Sequence, residues 1–150
     1  MRQICPHPLW LGHAADARDF RAILDTGIRA LVQLALEEPT LQPPRELVYC
    51  RIPLVDGGGN SRESLTLAVM TVSTLLRERV PTLVTCSAGM SRAPAVAAAA
   101  LALVESADPA GCLRRIVAQH PHDVALPLWH EIMDLLPALQ TGASDPRPAG

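Results

Sequence analysis

Lysine is absent: all 13 basic residues are arginine, set against 15 acidic ones for a formal net charge of −2. A Walker A phosphate loop, a Schiff base and a Ser-Lys dyad each need an amine, so these enzyme classes are excluded. Aromatic residues are scarce, 3% beside 49% apolar residues. The core must therefore be built from Ala, Leu, Val and Ile, and small side chains imply closely packed helices. No basic block is available to track a nucleic-acid backbone, which argues against a nucleic-acid partner. The four cysteines, Cys5, Cys50, Cys86 and Cys112, form no C-x-x-C pair, which disfavours zinc and redox motifs and leaves them as thiols in a reducing compartment. The first residues lack an apolar signal-type stretch, and Pro6 and Pro8 interrupt any start of one, so the cytoplasm is the expected location. The longest apolar run, Ala93 to Val104, holds Pro94 and falls short of the about 20 residues a membrane helix needs. It reads as a buried helix, and no membrane partner is expected.

The 150 residues suit one domain able to close a core without disulfides or a structural metal. Ile4 and Leu9-Trp10-Leu11 read as short strands, followed by a helix from about Asp16 to Asp25 with Ala17, Phe20, Ile23 and Leu24 on one face and Gly27 to end it. Ile28 to Leu34 and Glu46 to Ile52 suit strands, separated by a turn region holding Pro39, Pro43 and Pro44. After the flexible loop Gly57-Gly58-Gly59-Asn60, either Asn60 or Ser61 can cap a helix reaching about Arg79, and Pro81 stops it. Thr82 to Thr85 is a β-branched strand, followed by a tight turn and the Ala-rich helix. Ser106 or Asp108 can cap a helix carrying Leu113, Ile116 and Val117. A last helix begins near Pro127 and faces Leu128, Ile132, Leu135 and Leu136 inward. The expected organisation is one domain over residues 1–140 and a disordered Pro/Gly/Ala/Ser-rich tail over 141–150.

The chemistry concentrates in Cys86-Ser87-Ala88-Gly89-Met90-Ser91-Arg92, a thiol at the end of a strand with an arginine six positions later at the start of a helix. A loop wound this tightly turns successive backbone N–H groups toward its centre and makes a nest for an anion, with the helix dipole behind it. Ser87, Ala88, Gly89, Met90, Ser91 and Arg92 are accordingly candidate phosphate-binding positions. Arg92 offers a planar fork for two phosphate oxygens, and the same positive field favours the thiolate of Cys86. A bare C-x5-R arises here by chance about one time in three, but requiring Gly three residues after the cysteine lowers that to about 2%. Expelling an alkoxide or phenolate also needs a proton donor. Asp56 is the candidate, at the end of Ile52-Pro53-Leu54-Val55-Asp56 and on a glycine-rich loop that could swing over the pocket.

Together, Leu9-Trp10-Leu11-Gly12, Ile52-Pro53-Leu54-Val55-Asp56 and Cys86 to Arg92 resemble the compact dual-specificity branch of the cysteine-dependent protein tyrosine phosphatases, over about residues 4 to 137. The resemblance implies a single α/β domain with a mixed sheet of about five strands flanked by helices, and a strand–phosphate loop–helix site. It also implies metal-free, cofactor-free, two-step hydrolysis of phosphate monoesters: phosphotyrosine, with phosphoserine or phosphothreonine of proteins as further substrates. Cys86 would become phosphocysteine, Arg92 would clamp the phosphoryl group, and Asp56 would serve first as acid and then as base. Two positions depart from the family pattern. Thr85 stands where a histidine usually supports the loop, and Ala93 stands where a hydroxyl usually assists release of the thiolate. They imply reduced rather than absent turnover.

Other readings compete. A module that captures phosphorylated ligands without efficient turnover is motivated by Thr85 and Ala93, and a sulfur-transfer enzyme leaves Asp56 without a task. A cysteine protease needs an oxyanion hole rather than the cationic clamp of Arg92. Cys5, Cys50 and Cys112 read as core residues. Asp56 before glycine is also an ordinary turn signal. His120, His122 and His130 lack a third ligand at useful spacing and read as solvent-facing, and Met90 reads as pocket wall. The loop carries no extra positive charge for additional phosphates, which disfavours phosphoinositides.

Overall fold

The computed structural model describes residues 1–142. Its strands are β1 (Arg2–Gln3), β2 (Leu9–Gly12), β3 (Ala30–Ala35), β4 (Val48–Leu54) and β5 (Thr82–Thr85). They form one sheet in the order β1-β2-β5-β3-β4, parallel throughout except for the antiparallel β1 edge. The expected mixed five-stranded α/β domain is therefore what forms. The helices are α1 (Ala14–Arg18), α2 (Phe20–Asp25), α3 (Arg62–Arg77), α4 (Arg92–Glu105), α5 (Pro109–Val117) and α6 (Leu126–Gly142).

Strand periodicity divides the core into two layers. Leu31 and Leu83 point to one face and pack with Ala17, Ile23, Ile28 and Leu47, while Val32, Leu34 and Val84 point to the other, under α3, α4, α5 and α6. Alternation of side chains along a strand demands this split. Both faces of β3 and β5 are covered, so every residue of these strands is buried and both read as apolar runs. Helix α4 lies in the thicker layer, and all of Arg92 through Leu103 is buried. Its alanines let neighbouring backbones approach closely, and Pro94, in the first turn, forfeits no intrahelical hydrogen bond.

Several boundaries differ from expectation for local reasons. The single helix expected over Asp16 to Asp25 is two short ones, because Asp19 leaves the helical conformation and its carboxylate accepts from Ala22 N–H to cap α2. The break leaves Leu24 38% exposed. Ser61 rather than Asn60 caps α3, Asp108 rather than Ser106 caps α5, and Ser106 ends α4 in the left-handed conformation. Cys5 is exposed, not in the core. It sits in the turn between β1 and β2, where its N–H bonds Gln119 Oε1. Cys112 is buried and Cys50 is half-buried against the core. Helix α6 continues through Thr141 and Gly142, two residues into the expected tail, and the rest of that segment lies outside the described residues. Among the described residues no helix is long and apolar enough to cross a membrane.

Candidate active site

Strand β5 is central, and its last residue, Thr85, is in register with Gly12 of β2 and Gln33 of β3. Cys86 thus emerges at the carboxyl edge of three parallel strands, the edge at which open α/β sheets place ligands. Residues 86–91 turn from β5 into α4. Gly89 adopts φ +76°, and a Cβ there would lie 2.7 Å from the Gly12 carbonyl oxygen. Only glycine combines that conformation with so close an approach. Among the described residues, no backbone N–H from Ser87 to Ser91 donates to a protein acceptor, and α4 has no side-chain cap. The loop and helix end therefore keep backbone donors without protein partners, as a helix N-terminus that can receive an anion does.

Glu37, Asp56, Cys86, Ser87, Ala88, Met90, Ser91, Arg92 and Asp123 line a pocket of about 160 Å³. Cys86 is 3% exposed and Arg92 2%, while Met90 stands half out of the wall at 37%. All the residues singled out from the sequence as site positions meet here except Gly89. That glycine is buried in the loop against Gly12.

The sequence did not point to Glu37. Its carboxylate takes Arg92 in a two-pronged pair, with Arg92 Nη1 donating to Oε2 at 2.6 Å and Nη2 to Oε1. Nη1 also donates to the Leu54 carbonyl at 2.9 Å. Arg92 Nε is buried with no partner, and with the second N–H of Nη2 also uncommitted, two of the five guanidinium N–H groups remain. The Arg92 hydrogen bond holds the Glu37 carboxyl at about 2, against the opposing effect of its own burial. Burial works to lower the Arg92 pKa, but the Glu37 hydrogen bond and then the charges of Cys86, Glu37 and Asp56 outweigh it, and the net direction is upward. Ser87 Oγ lies 2.6 Å from Glu37 Oε1 and 3.0 Å from Glu38 Oε1, sharing its proton between two carboxylates. The one available signal for Glu37 was an acidic pair directly after a buried strand, at the same sheet edge as the cysteine.

Asp56 does not hang on a free loop. Asn60 accepts from Val55 N–H at 2.7 Å and donates to the carbonyls of Val55 and Gly57, while Glu131 of α6 accepts from Gly59 N–H at 2.5 Å. The glycine-rich segment is hydrogen-bonded at both its base and its tip, so in this conformation Asp56 is held at the pocket. Asp56 Oδ1 accepts from Ser91 Oγ at 2.6 Å, and Ser91 Oγ accepts from Ala125 N–H at 3.1 Å. The Ser91 hydroxyl thus orients Asp56 instead of pointing at the loop centre.

Thr85 is fully buried and its hydroxyl has no partner. Other contacts supply loop support: Ser87 O accepts from Ala14 N–H, Met90 O from Asp123 N–H, and Gly89 O from His120 Nε2 at 2.8 Å. His120 is therefore not solvent-facing. Because a carbonyl only accepts, Nε2 carries the proton, and Nδ1 is buried without a partner. Burial first, with the nearby Arg2 charge, lowers the His120 pKa despite the Gly89 hydrogen bond.

Residues 9–105 match the family model described as "Polymorphic toxin system, DSP-PTPase phosphatase". The fold is similar to human DUSP28, with TM-score 0.81 and 22% identity over 95% of this chain and 99% of that one. It is similar also to a human tyrosine phosphatase-like serine/threonine/tyrosine-interacting protein, with TM-score 0.77 and 16% identity over 93% and 97%. DUSP15 superimposes with TM-score 0.75 and 20% identity over 95% and 90%. No curated protein matches the chain in sequence.

Proposed function

Because the chain belongs to the DSP-PTPase phosphatase family of polymorphic toxin systems, we propose that it hydrolyses phosphate monoesters of proteins, phosphotyrosine foremost, through a phosphocysteine intermediate. The observation that carries this is the convergence of Cys86, Arg92 and Asp56 on one pocket at a helix terminus whose N–H groups are free. A phosphoryl group seated in the loop puts its equatorial oxygens against those donors and Arg92 Nε, leaving Cys86 Sγ behind phosphorus. In the first step the thiolate forms the S–P bond as the P–O bond to the leaving group breaks, and Asp56 delivers its proton to the departing oxygen. In the second, Asp56 as carboxylate takes a proton from water. The water oxygen bonds to phosphorus, the S–P bond breaks, and thiolate and inorganic phosphate are released. The sum is ester plus water to alcohol plus phosphate, with Asp56 and Cys86 regenerated. Ser91, held by the Ala125 amide, keeps Asp56 beside the leaving group. Cytoplasmic residence belongs to the same proposal, since the nucleophile acts only while reduced.

A second reading, capture of phosphorylated ligands without efficient turnover, draws support from Ala93, which puts a buried methyl where a hydroxyl would face the loop, and from the two Arg92 nitrogens already committed to Glu37. Rapid mixing with p-nitrophenyl phosphate separates the two. A nitrophenol burst followed by slow turnover, abolished by Cys86→Ser and with its steady state accelerated by Ala93→Ser, is the expected result. No burst and no turnover, with vanadate still protecting the thiol from alkylation, would establish the binding module.

A further inference from the structure

The pocket's charge is arranged against polyanionic substrates. Of its charged lining side chains, Arg92 is the one cation, faced by the acidic side chains of Glu37, Asp56 and Asp123; Glu37 is paired with Arg92 and Asp56 carries the proton it donates, which leaves exposed Asp123 as the rim carboxylate. Two other arginines lie close by and are committed elsewhere. Arg18 Nη2 meets Glu38 Oε2 at 2.5 Å, and Arg51 donates to the carbonyls of Leu36 and Glu38. Arg92 itself is buried with Nε unpartnered, so the floor binds one phosphoryl group while the rim repels further negative charge. Leu36, Val55, Met90 and Leu126 belong to the exposed large hydrophobics. Of these, Met90 lines the pocket. An exposed apolar side chain beside a polar cavity offers a contact for an apolar neighbour of the phosphorylated residue.

Building on the phosphatase reading, we propose that the pocket selects singly phosphorylated tyrosines in segments whose neighbours are basic and apolar, and rejects acidic or multiply phosphorylated substrates. The carboxylate rim attracts arginine or lysine beside the phosphotyrosine and repels glutamate or a second phosphate. Met90 covers an aliphatic neighbour that such a segment presents.

The test compares kcat/KM for one phosphotyrosine peptide carrying arginine and leucine neighbours with the same peptide carrying glutamate and leucine, and with a third carrying arginine and glycine. The expected preference for arginine over glutamate is about tenfold at low ionic strength, shrinking severalfold at high salt as screening sets in. Leucine is expected to outperform glycine. Asp123→Arg should bring the arginine-to-glutamate ratio close to one, a change of charge selectivity that a merely structural role would not produce. An arginine-to-glutamate ratio of one or below in the wild type, a ratio that Asp123→Arg leaves unchanged, or faster turnover of a multiply phosphorylated inositol headgroup than of any peptide would each overturn the proposal. If p-nitrophenyl phosphate is not hydrolysed either, it is the phosphatase reading that has failed. The same three peptides, labelled and titrated onto Cys86→Ser protein by fluorescence anisotropy, then read the selectivity as affinity ratios, with the same overturning outcomes.

Discussion

Replacing Glu37 by Gln keeps the shape of the Arg92 partner and removes its charge, which makes its effect calculable. The Glu37 carboxyl sits at about 2, down from its ordinary 4.5, with the Arg92 hydrogen bond as the chief cause. For a fully shielded group that difference corresponds to about 3 kcal/mol of stabilisation. Glu37 is 54% exposed, and solvent screening reduces the figure to about 1 kcal/mol. For a chain of this length that is a lowering of Tm by about 3 °C. The pH dependence has a definite sign. The folded-state pKa is depressed, so the contribution is complete above about 4.5 and disappears as pH falls toward 2. Thermal unfolding of both proteins at pH 7, 5 and 3, and near 2, should show a constant gap at the two higher values, a smaller one at pH 3 and none at the lowest. Other acid titrations are common to both proteins and drop out of the difference. A gap that persists undiminished near pH 2, or none at pH 7, would refute the assignment of this stability to the Arg92–Glu37 pair.

Thr85→Val removes a buried hydroxyl that has no partner and should raise stability by about 1 kcal/mol, read from urea midpoints at unchanged m-value. Gly89→Ala forces a Cβ to within 2.7 Å of the Gly12 carbonyl at a φ of +76°. It should cost about 2 kcal/mol or more and weaken vanadate binding, since the loop must shift; full stability would mean that the approach of Gly89 to β2 is looser than described. Asp56→Asn should slow hydrolysis of alkyl and unactivated aryl phosphates by about 10²-fold or more while sparing p-nitrophenyl phosphate far more. An equal loss with both kinds of leaving group would assign Asp56 to positioning rather than to proton donation.

Much of the site was legible before any tertiary contact, because it is local. Cys86 through Arg92 lie within one turn between a strand and a helix, so the spacing, the glycine within it and the flanking strand and helix patterns could point to the site together. The strand Thr82–Thr85 was legible to the residue, being short, β-branched and bounded by Pro81 and the turn. The pairing of Arg92 with Glu37 was not, because 55 residues separate them and their meeting depends on the order of parallel strands. The same applies to Asp56. Its candidacy was readable from the motif around it, but the hydrogen bonds that hold its loop come from Asn60 and from Glu131, on a helix more than 70 residues away.

The sequence by itself determined that a cysteine, an arginine and a run of backbone amides would share one strand-to-helix turn, since chain geometry within seven residues needs no distant partner. It determined the alternation of β and α elements as well, through patterns of period two and 3.6. Tertiary structure alone decided what surrounds that turn: which N–H groups of Arg92 stay free, which hydroxyl steers Asp56, how His120 came to support the loop, and why three acidic side chains border one guanidinium. Those features arise where separate elements converge at one sheet edge, and convergence is a property of packing that no single stretch of sequence carries.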